Sequence, residues 1–293
     1  MKILPLAALL VLPLVAIEPL AQRIMHTEPS KFKVAKSVHG GAGQLDYMAL
    51  MDAHSLDTNL FFLHRGVIQP KSGIGAHFHN QTEEMFIIFD GEAQFTIDGR
   101  TSVLNGPAGA PCRMGHSHAI YNHTDKPVQW MNINVSALKG TYDAFDLGDS
   151  RVGAVIDTIP VFMSMRLDPA LLRPLSGTNS AKGSGQYRRV LEPSVFLTAW
   201  SYVDHLVLQP GGATSPHLHR EVAEFYYVIN GDGTATVANE SAAIHAGDAI
   251  PIQLNEAHSF ENTATKPLEF LIVGVSRDNN RRIDSVEVPV GRR

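Results

Sequence analysis

Short apolar runs separated by turn dipeptides dominate the chain. Met85-Phe-Ile-Ile-Phe ends at Asp90-Gly91, Ala93 to Ile97 ends at Asp98-Gly99, and Phe225-Tyr-Tyr-Val-Ile ends at Asn230-Gly231. Asn-Gly and Asp-Gly supply the positive φ angles of tight hairpins, so the pattern predicts antiparallel strands joined by short turns. Strands at this spacing indicate a β-sandwich or a small barrel. Helical periodicity is weak. One short helix is expected at Asp168-Pro169-Ala-Leu-Leu, where an N-cap precedes a proline at the first helical position. Gly177 to Gly185 reads as a polar Gly/Ser loop. The predicted class is all-β.

The pattern is written twice. His77-Phe-His79 recurs 140 residues later as His217-Leu-His219. The same offset pairs Gln69-Pro70 with Gln209-Pro210, Glu84 with Glu224, Gly91 with Gly231, Pro111 with Pro251, His118 with His258 and Asn122 with Asn262. Upstream it pairs Pro29 with Pro169, Gly43 with Gly183, Tyr47 with Tyr187 and Thr58 with Thr198. A β-rich unit repeated in this way predicts two tandem β-barrels related by internal duplication, over residues 24–160 and 161–293.

A chain of 293 residues has room for two such cores. With 44% hydrophobic and 18% charged residues it is too apolar to be disordered. Lys+Arg 24 against Asp+Glu 29 leaves a net charge of −5, so no general positive field exists for nucleic acid or anionic lipid. The single cysteine, Cys112, excludes a disulfide framework, a Cys-rich zinc site and a thiolate-held iron–sulfur cluster. Any metal must therefore use nitrogen and oxygen, and 14 histidines supply the nitrogen. Residues 1–21 read as a signal peptide: Lys2 precedes an apolar stretch, Ile3 to Ile17, broken by Pro5 and Pro13. That stretch is shorter than the roughly 20 residues of a spanning helix, so export to a periplasm or secretion is expected, without a stable membrane anchor.

The candidate chemistry sits in the repeat. His77 and His79 are two apart, which on a strand puts both rings on one face, about 7 Å apart along the backbone. Glu84 follows a polar turn and returns toward the same point, and His118 adds a third imidazole from a distant strand. His217, His219, Glu224 and His258 repeat the set. Three neutral imidazoles and one carboxylate suit Mn, Fe, Co, Ni or Cu, one ion per domain, with positions open for water, O₂ or substrate. Structural zinc fits less well, because closed zinc sites usually use cysteine.

These residues resemble two motifs of the cupin superfamily. The first, His-x-His followed by Glu and Gly, stands as His77-Phe-His-Asn-Gln-Thr-Glu-Glu84 through Gly91, and as His217-Leu-His219, Glu224 and Gly231. The second is similar to Gly115-His-Ser-His118 to Asn122 and to Asn255-Glu-Ala-His258 to Asn262. The likeness spans nearly the whole chain beyond the leader and is to the bicupins, which carry two jelly-roll β-barrels; it implies metal ligands at the eight positions named. Lys71 replaces a motif glycine, Arg113 and Gln253 a proline, and Asn255 a glycine; Asn tolerates the left-handed conformation such a turn needs.

Four residues separate each second histidine from its glutamate, a spacing similar to bacterial quercetin 2,3-dioxygenase-like bicupins. Oxalate decarboxylases, by resemblance, carry an arginine three positions before the first histidine, where this chain has Ile74 and Thr214. The resemblance implies an O₂-dependent dioxygenase cleaving a small aromatic or enolic, flavonol-like substrate, with Glu84 or Glu224 also serving as catalytic base. A redox-neutral decarboxylase, lyase or isomerase of a small carboxylate or sugar is the first rival, and a non-catalytic metal- or ligand-binding bicupin the second. Phe86 and Tyr226 share the strand parity of the glutamates and are expected to face the substrate. Cys112 pairs with Ile252 and reads as a buried apolar position, His116 as an exposed loop histidine rather than a relay, and Arg113 as a solvated rim charge. Glu84 and Glu224 are preferred over Glu83 and Glu221 because only they share the offset. Assembly into a homo-oligomer stays open.

Overall fold

A computed structural model describes residues 18–175, 180–182, 184–280 and 283–288. Most of the expected signal peptide, residues 1–17, lies outside them.

The chain forms two β-barrels, each a pair of sheets. In the first copy one sheet runs Met165–Arg166, Ala108–Cys112, Thr82–Ile88, Val128–Ser136, Leu60–Ile68, Gln44–Met51, Lys33–Lys36. The facing sheet runs Phe145–Asp149, Ser72–Phe78, Ser117–Asn122, Glu92–Ile97, Arg100–Asn105. The second copy repeats this, with Asp248–Ile252, Val222–Asn230, Leu268–Ser276, Trp200–Leu208 and Gly185–Leu191 forming the body of its larger sheet. The ladders are antiparallel, as the hairpin signals predict. Asp98 and Gly99 both take positive φ (48° and 75°) in one of those turns.

Thr82–Ile88 shows why the sequence reads as continuous apolar runs rather than clean alternation. Met85 and Ile87 point outward into a core shared with Phe225 and Tyr227 of the second copy. Phe86 and Ile88 point inward, into the first barrel. The two larger sheets are packed back to back, so both faces of their central strands lose water. Each buried Leu, Ile or Phe contributes about 1.5–3 kcal/mol there.

The internal repeat is visible in the geometry. Pro29–Lys31 and Pro169–Leu171 are both single turns of 3₁₀ helix, the second capped by Asp168, whose carboxylate accepts from the Ala170 amide at 2.9 Å. Lys71 (φ 54°) matches Gly211 (φ 75°), and Asn255 (φ 67°) matches Gly115 (φ 81°), so the replaced motif glycines keep the left-handed turn. Ser180–Lys182 and Gly185–Leu191 are strands, so the expected Gly/Ser loop is shorter than it reads; residues 176–179 and 183 lie outside the described residues.

The copies also exchange strands. Met25 and His26 pair with Ala249 and Asp248 of the second barrel, while Met165 and Arg166 pair with Gly109 and Ala108 of the first. Leu20, on the leader side of the expected boundary, is 1% exposed and packs in the second barrel's interior. Arg113 is exposed, as expected of a rim charge, and its guanidinium also donates to the carbonyls of Val195 and Ser194, tying the copies together. Glu83 does the same from the other side, accepting from the Leu197 amide (2.8 Å) and from the amide and hydroxyl of Thr198 (2.8 and 2.7 Å).

Candidate metal centres

Each barrel gathers its four predicted ligands in its interior. His77 and His79 come from the end of Ser72–Phe78 and the residue after it, Glu84 from Thr82–Ile88, and His118 from Ser117–Asn122. The ligand atoms of His77, His79, Glu84 and His118 all lie within 4.8 Å of one another, as do those of His217, His219, Glu224 and His258. Cross-strand pairing explains this convergence: His118 lies directly opposite His77, and His258 opposite His217.

Five of the six ligand imidazoles are oriented by their far nitrogens; the Nδ1 of His118 is buried without a hydrogen-bond partner. His77 Nδ1 donates to the Gly75 carbonyl at 2.9 Å, His217 Nδ1 to Ser215 at 2.9 Å, and His258 Nδ1 to Glu256 at 3.0 Å. His79 and His219 donate to the carbonyls of Asp143 and Asp284. A carbonyl only accepts, so each of these five Nδ1 atoms carries the proton and the Nε2 of the same ring turns a lone pair inward. The Nε2 atoms of His118 and His77 stand 3.0 Å apart, and those of His118 and His79 3.3 Å. Nitrogens about 2.1 Å from one ion sit about 3 Å apart at right angles, so the spacing fits a shared ion. In the second centre His219 Nε2 and Glu224 Oε2 are buried without a hydrogen-bond partner, 3.4 Å apart. Two acceptors facing each other in a dry interior call for a cation between them. The donor set therefore fits one first-row divalent ion per domain.

Burial keeps His77, His118 and His217 neutral, as ligands must be. It pushes His77 down to about 3 and His217 to about 4, and takes His118 well below the usual histidine value. Burial alone would raise Glu224, but His219, His258 and His217 around it pull the carboxyl below its ordinary range.

The carboxylates are held differently. Asn132 and Asn134 donate to the two oxygens of Glu84 at 2.6 and 2.8 Å. Glu224 accepts at Oε1 from the Tyr202 hydroxyl at 2.6 Å. Beside Glu84 is a cavity of about 170 Å³ lined by Val38, Leu45, Tyr47, Phe62, Ile74, Trp130 and Tyr142, with His39, His64 and Asn132. Beside Glu224 is one of about 120 Å³ whose walls include Tyr187, Arg189, Asp204, Thr214, Tyr226 and Ser285. Burial pushes His64 down to about 4, leaving it neutral.

Phe86 does face the barrel interior, but it lies behind the ligands, stacked on His118 with ring centroids 4.4 Å apart, rather than on the first cavity's wall. Tyr226 lines the second cavity, its Oη 3.5 Å from His258 Nε2. Cys112 is 2% exposed, and burial pushes its thiol up, with the Glu84 charge adding to the effect. His116 is an exposed residue bonded to Asp98 at 2.6 Å, away from both cavities.

Sequence reasoning missed Asn132, Asn134, His39, His64, Tyr202, Arg189 and the aspartates Asp143 and Asp284. Each aspartate also accepts from the two amides after the ligand histidine: Asn80 and Gln81, or Arg220 and Glu221. The signal was present at an offset of 141, one residue longer than in the barrels. Asn132 and Asn134 alternate with apolar residues in Trp130-Met-Asn-Ile-Asn-Val135, two polar positions on the face shared with Trp130.

Among the described residues no helix is long and apolar enough to cross a membrane. The cupin domain family matches residues 64–134 and again 204–274. An oxalate-binding protein of Thermotoga maritima is 29% identical over 99 residues, covering 34% of this chain and 82% of that protein. An uncharacterized protein of Methanocaldococcus jannaschii is 30% identical over 84 residues, 29% of this chain and 67% of that protein. In fold, the chain is similar to the oxalate decarboxylase of Lactobacillus farciminis in its formate complex, with a TM-score of 0.64 at 15% identity over 90% of this chain and 88% of that one. The oxalate decarboxylase of Bacillus subtilis at pH 4.6 gives 0.62 at 15% identity, over 90% and 78%. With one cupin match in each half, a ligand cluster in each barrel and this fold, the chain belongs to the cupin superfamily as a bicupin.

Proposed function

We propose that this bicupin is a metal-dependent dioxygenase whose first centre oxidises a small aromatic or enolic compound, both atoms of O₂ entering the product. The observation that carries this reading is the wall of the first cavity. Tyr47, Phe62, Trp130 and Tyr142 offer flat apolar surface, and among the described residues neither lysine nor arginine lines it. Such a pocket favours a planar, weakly charged ring over a dianion, whose carboxylates would be left without partners.

His77, His79, Glu84 and His118 would hold the ion, which would supply the Lewis acidity that makes a substrate hydroxyl easier to deprotonate. The substrate's phenolic or enolic proton passes to Glu84, which Asn132 and Asn134 keep from turning away. Phe62 stacks on His64 with centroids 4.0 Å apart, giving the ring a flat surface to lie against. Neutral His64 contributes a hydrogen-bonding edge without drawing in anions.

The second reading is redox-neutral decarboxylation of a small carboxylate. It is favoured by Arg189 on the wall of the second cavity and by the names of the oxalate-linked relatives. Arg189 is forked onto Asp204 at 3.0 and 3.1 Å, so its charge is already met. The test is a screen of the metal-loaded protein against flavonols, catechols, enediols and oxalate, with O₂ uptake and CO₂ release measured together. Uptake of one O₂ per substrate consumed supports the oxygenase; carboxylate turnover under nitrogen overturns it.

A further inference from the structure

We propose that Tyr202 is the positioning residue of the second metal centre, taking over by a cross-strand exchange the task that Asn134 performs in the first. The inference rests on the two ligand clusters and is independent of which reaction they catalyse. In the first copy Phe62 lies opposite Asn134, and Asn134 and Asn132 supply the amides that hold Glu84. Their counterparts 140 residues on are Tyr202 opposite Gly274, with Ile272 in place of Asn132. Neither Ile272 nor Gly274 has a side-chain donor, so Glu224 would lose both supports. The missing donor has moved across the ladder to Tyr202, whose hydroxyl meets Glu224 Oε1 at 2.6 Å.

Glycine at 274 is required by space, not by backbone angle. A Cβ there would stand 2.5 Å from Tyr202 Cζ and 2.6 Å from Cε2. The ring lies flat over the bare backbone and is covered on its other face by the Arg189 guanidinium, 4.1 Å from its centroid. Arg189 is fixed in turn by Asp204, which also accepts from the Tyr187 hydroxyl at 2.7 Å. Because the phenol engages Oε1 alone, Oε2 is left turned toward His258 (3.1 Å) and His219 (3.4 Å), poised as a one-oxygen ligand. Tyr202 and Gly274 thus form one device, and Phe62 with Asn134 the other.

Cobalt titration of the metal-stripped full chain, followed by visible absorption and checked by metal analysis, tests this. Outer hydrogen-bond partners of metal ligands are commonly worth 10–100-fold in affinity, so Tyr202→Phe is expected to weaken one of the two binding events by about that factor and leave the other unchanged. Gly274→Asn alone weakens the same event, because ring and amide cannot share the space. Tyr202→Phe combined with Gly274→Asn rebuilds the pair of the first copy and restores most of the loss, a rescue that general loosening of the core would not give. Two unchanged events in Tyr202→Phe, or a double variant no tighter than Tyr202→Phe, overturns the assignment. If Tyr202→Phe does not fold, Gly274→Ala decides: its Cβ must displace the ring and weaken the same event, and undiminished binding overturns the proposal.

Discussion

Removing the Glu83 carboxylate should separate the protein's architecture from its chemistry. Glu83 is 1% exposed and adjacent in sequence to the ligand Glu84, yet it points out of the barrel into the second copy. There it satisfies three donors: the Leu197 amide, the Thr198 amide and the Thr198 hydroxyl, at 2.7–2.8 Å. Glu83→Ala takes the carboxylate from the fully buried Thr198 amide and hydroxyl and from the partly buried Leu197 amide, at about 1–3 kcal/mol each. Some relief by entering water brings the expected loss to about 3–6 kcal/mol. In a chain of this size about 2 °C of melting temperature goes with each kcal/mol, so the drop should be about 6–12 °C. Calorimetry of the metal-loaded variant, with metal analysis of the same sample, reads both quantities. Glu84→Ala should instead lose the first ion. A Glu83→Ala protein that melts within about 2 °C of the parent, or that loses metal, would refute the division of labour between these neighbours.

The amides behind Glu84 give a second expectation: Asn134→Ala should weaken only the first centre's ion by about 10–100-fold, seen as one shifted phase in a metal titration. Stability of the metal-free protein should fall with pH. His77 and His217 are pushed down to about 3 and about 4 by burial, whereas an unfolded chain's histidines titrate near 6.5. Below that pH the unfolded chain takes up protons the folded one refuses. Stability is therefore full above about 6.5 and declines by up to about 1.4 kcal/mol per pH unit for each group toward about 4. Urea titrations between pH 7.5 and 4.5 check this, and a flat profile would contradict it. Leu20→Ala should cost about 2–5 kcal/mol in thermal or urea unfolding, because the side chain closes the second barrel's interior. Cys112 should stay unreactive to Ellman's reagent in the native protein and titrate fully once unfolded.

What the sequence made legible was whatever repeats. His77, His79, Glu84 and His118 were found because four residue types recurred at one offset, and strand parity followed from the hairpin turns. The parts that escaped are those the duplication has since altered. Tyr202 and Phe62 look like ordinary core aromatics, and only the ladder register shows one of them reaching a ligand while the other stacks on His64. Arg113 was legible as an exposed charge, but nothing in its neighbourhood in sequence reveals its partners Ser194 and Val195, which belong to the other copy. Asp143 and Asp284 escaped because a single inserted residue breaks the register. Parity placed Phe86 on the correct face, but it cannot tell the wall of a cavity from the layer behind the ligands.

The exchange of Met25–His26 and Met165–Arg166 means that neither half is a self-sufficient object. Cutting the gene between the copies would hand each fragment an arm shaped for its sibling, and either fragment alone would be pressed to find a mate offering the reciprocal arm. Joined in one polypeptide, the mates meet at an effective concentration set by the tether and not by the cell. The two cavities can therefore differ in lining, Trp130 and Phe62 on one side against Arg189 and Tyr226 on the other, while the scaffold that carries them stays locked together.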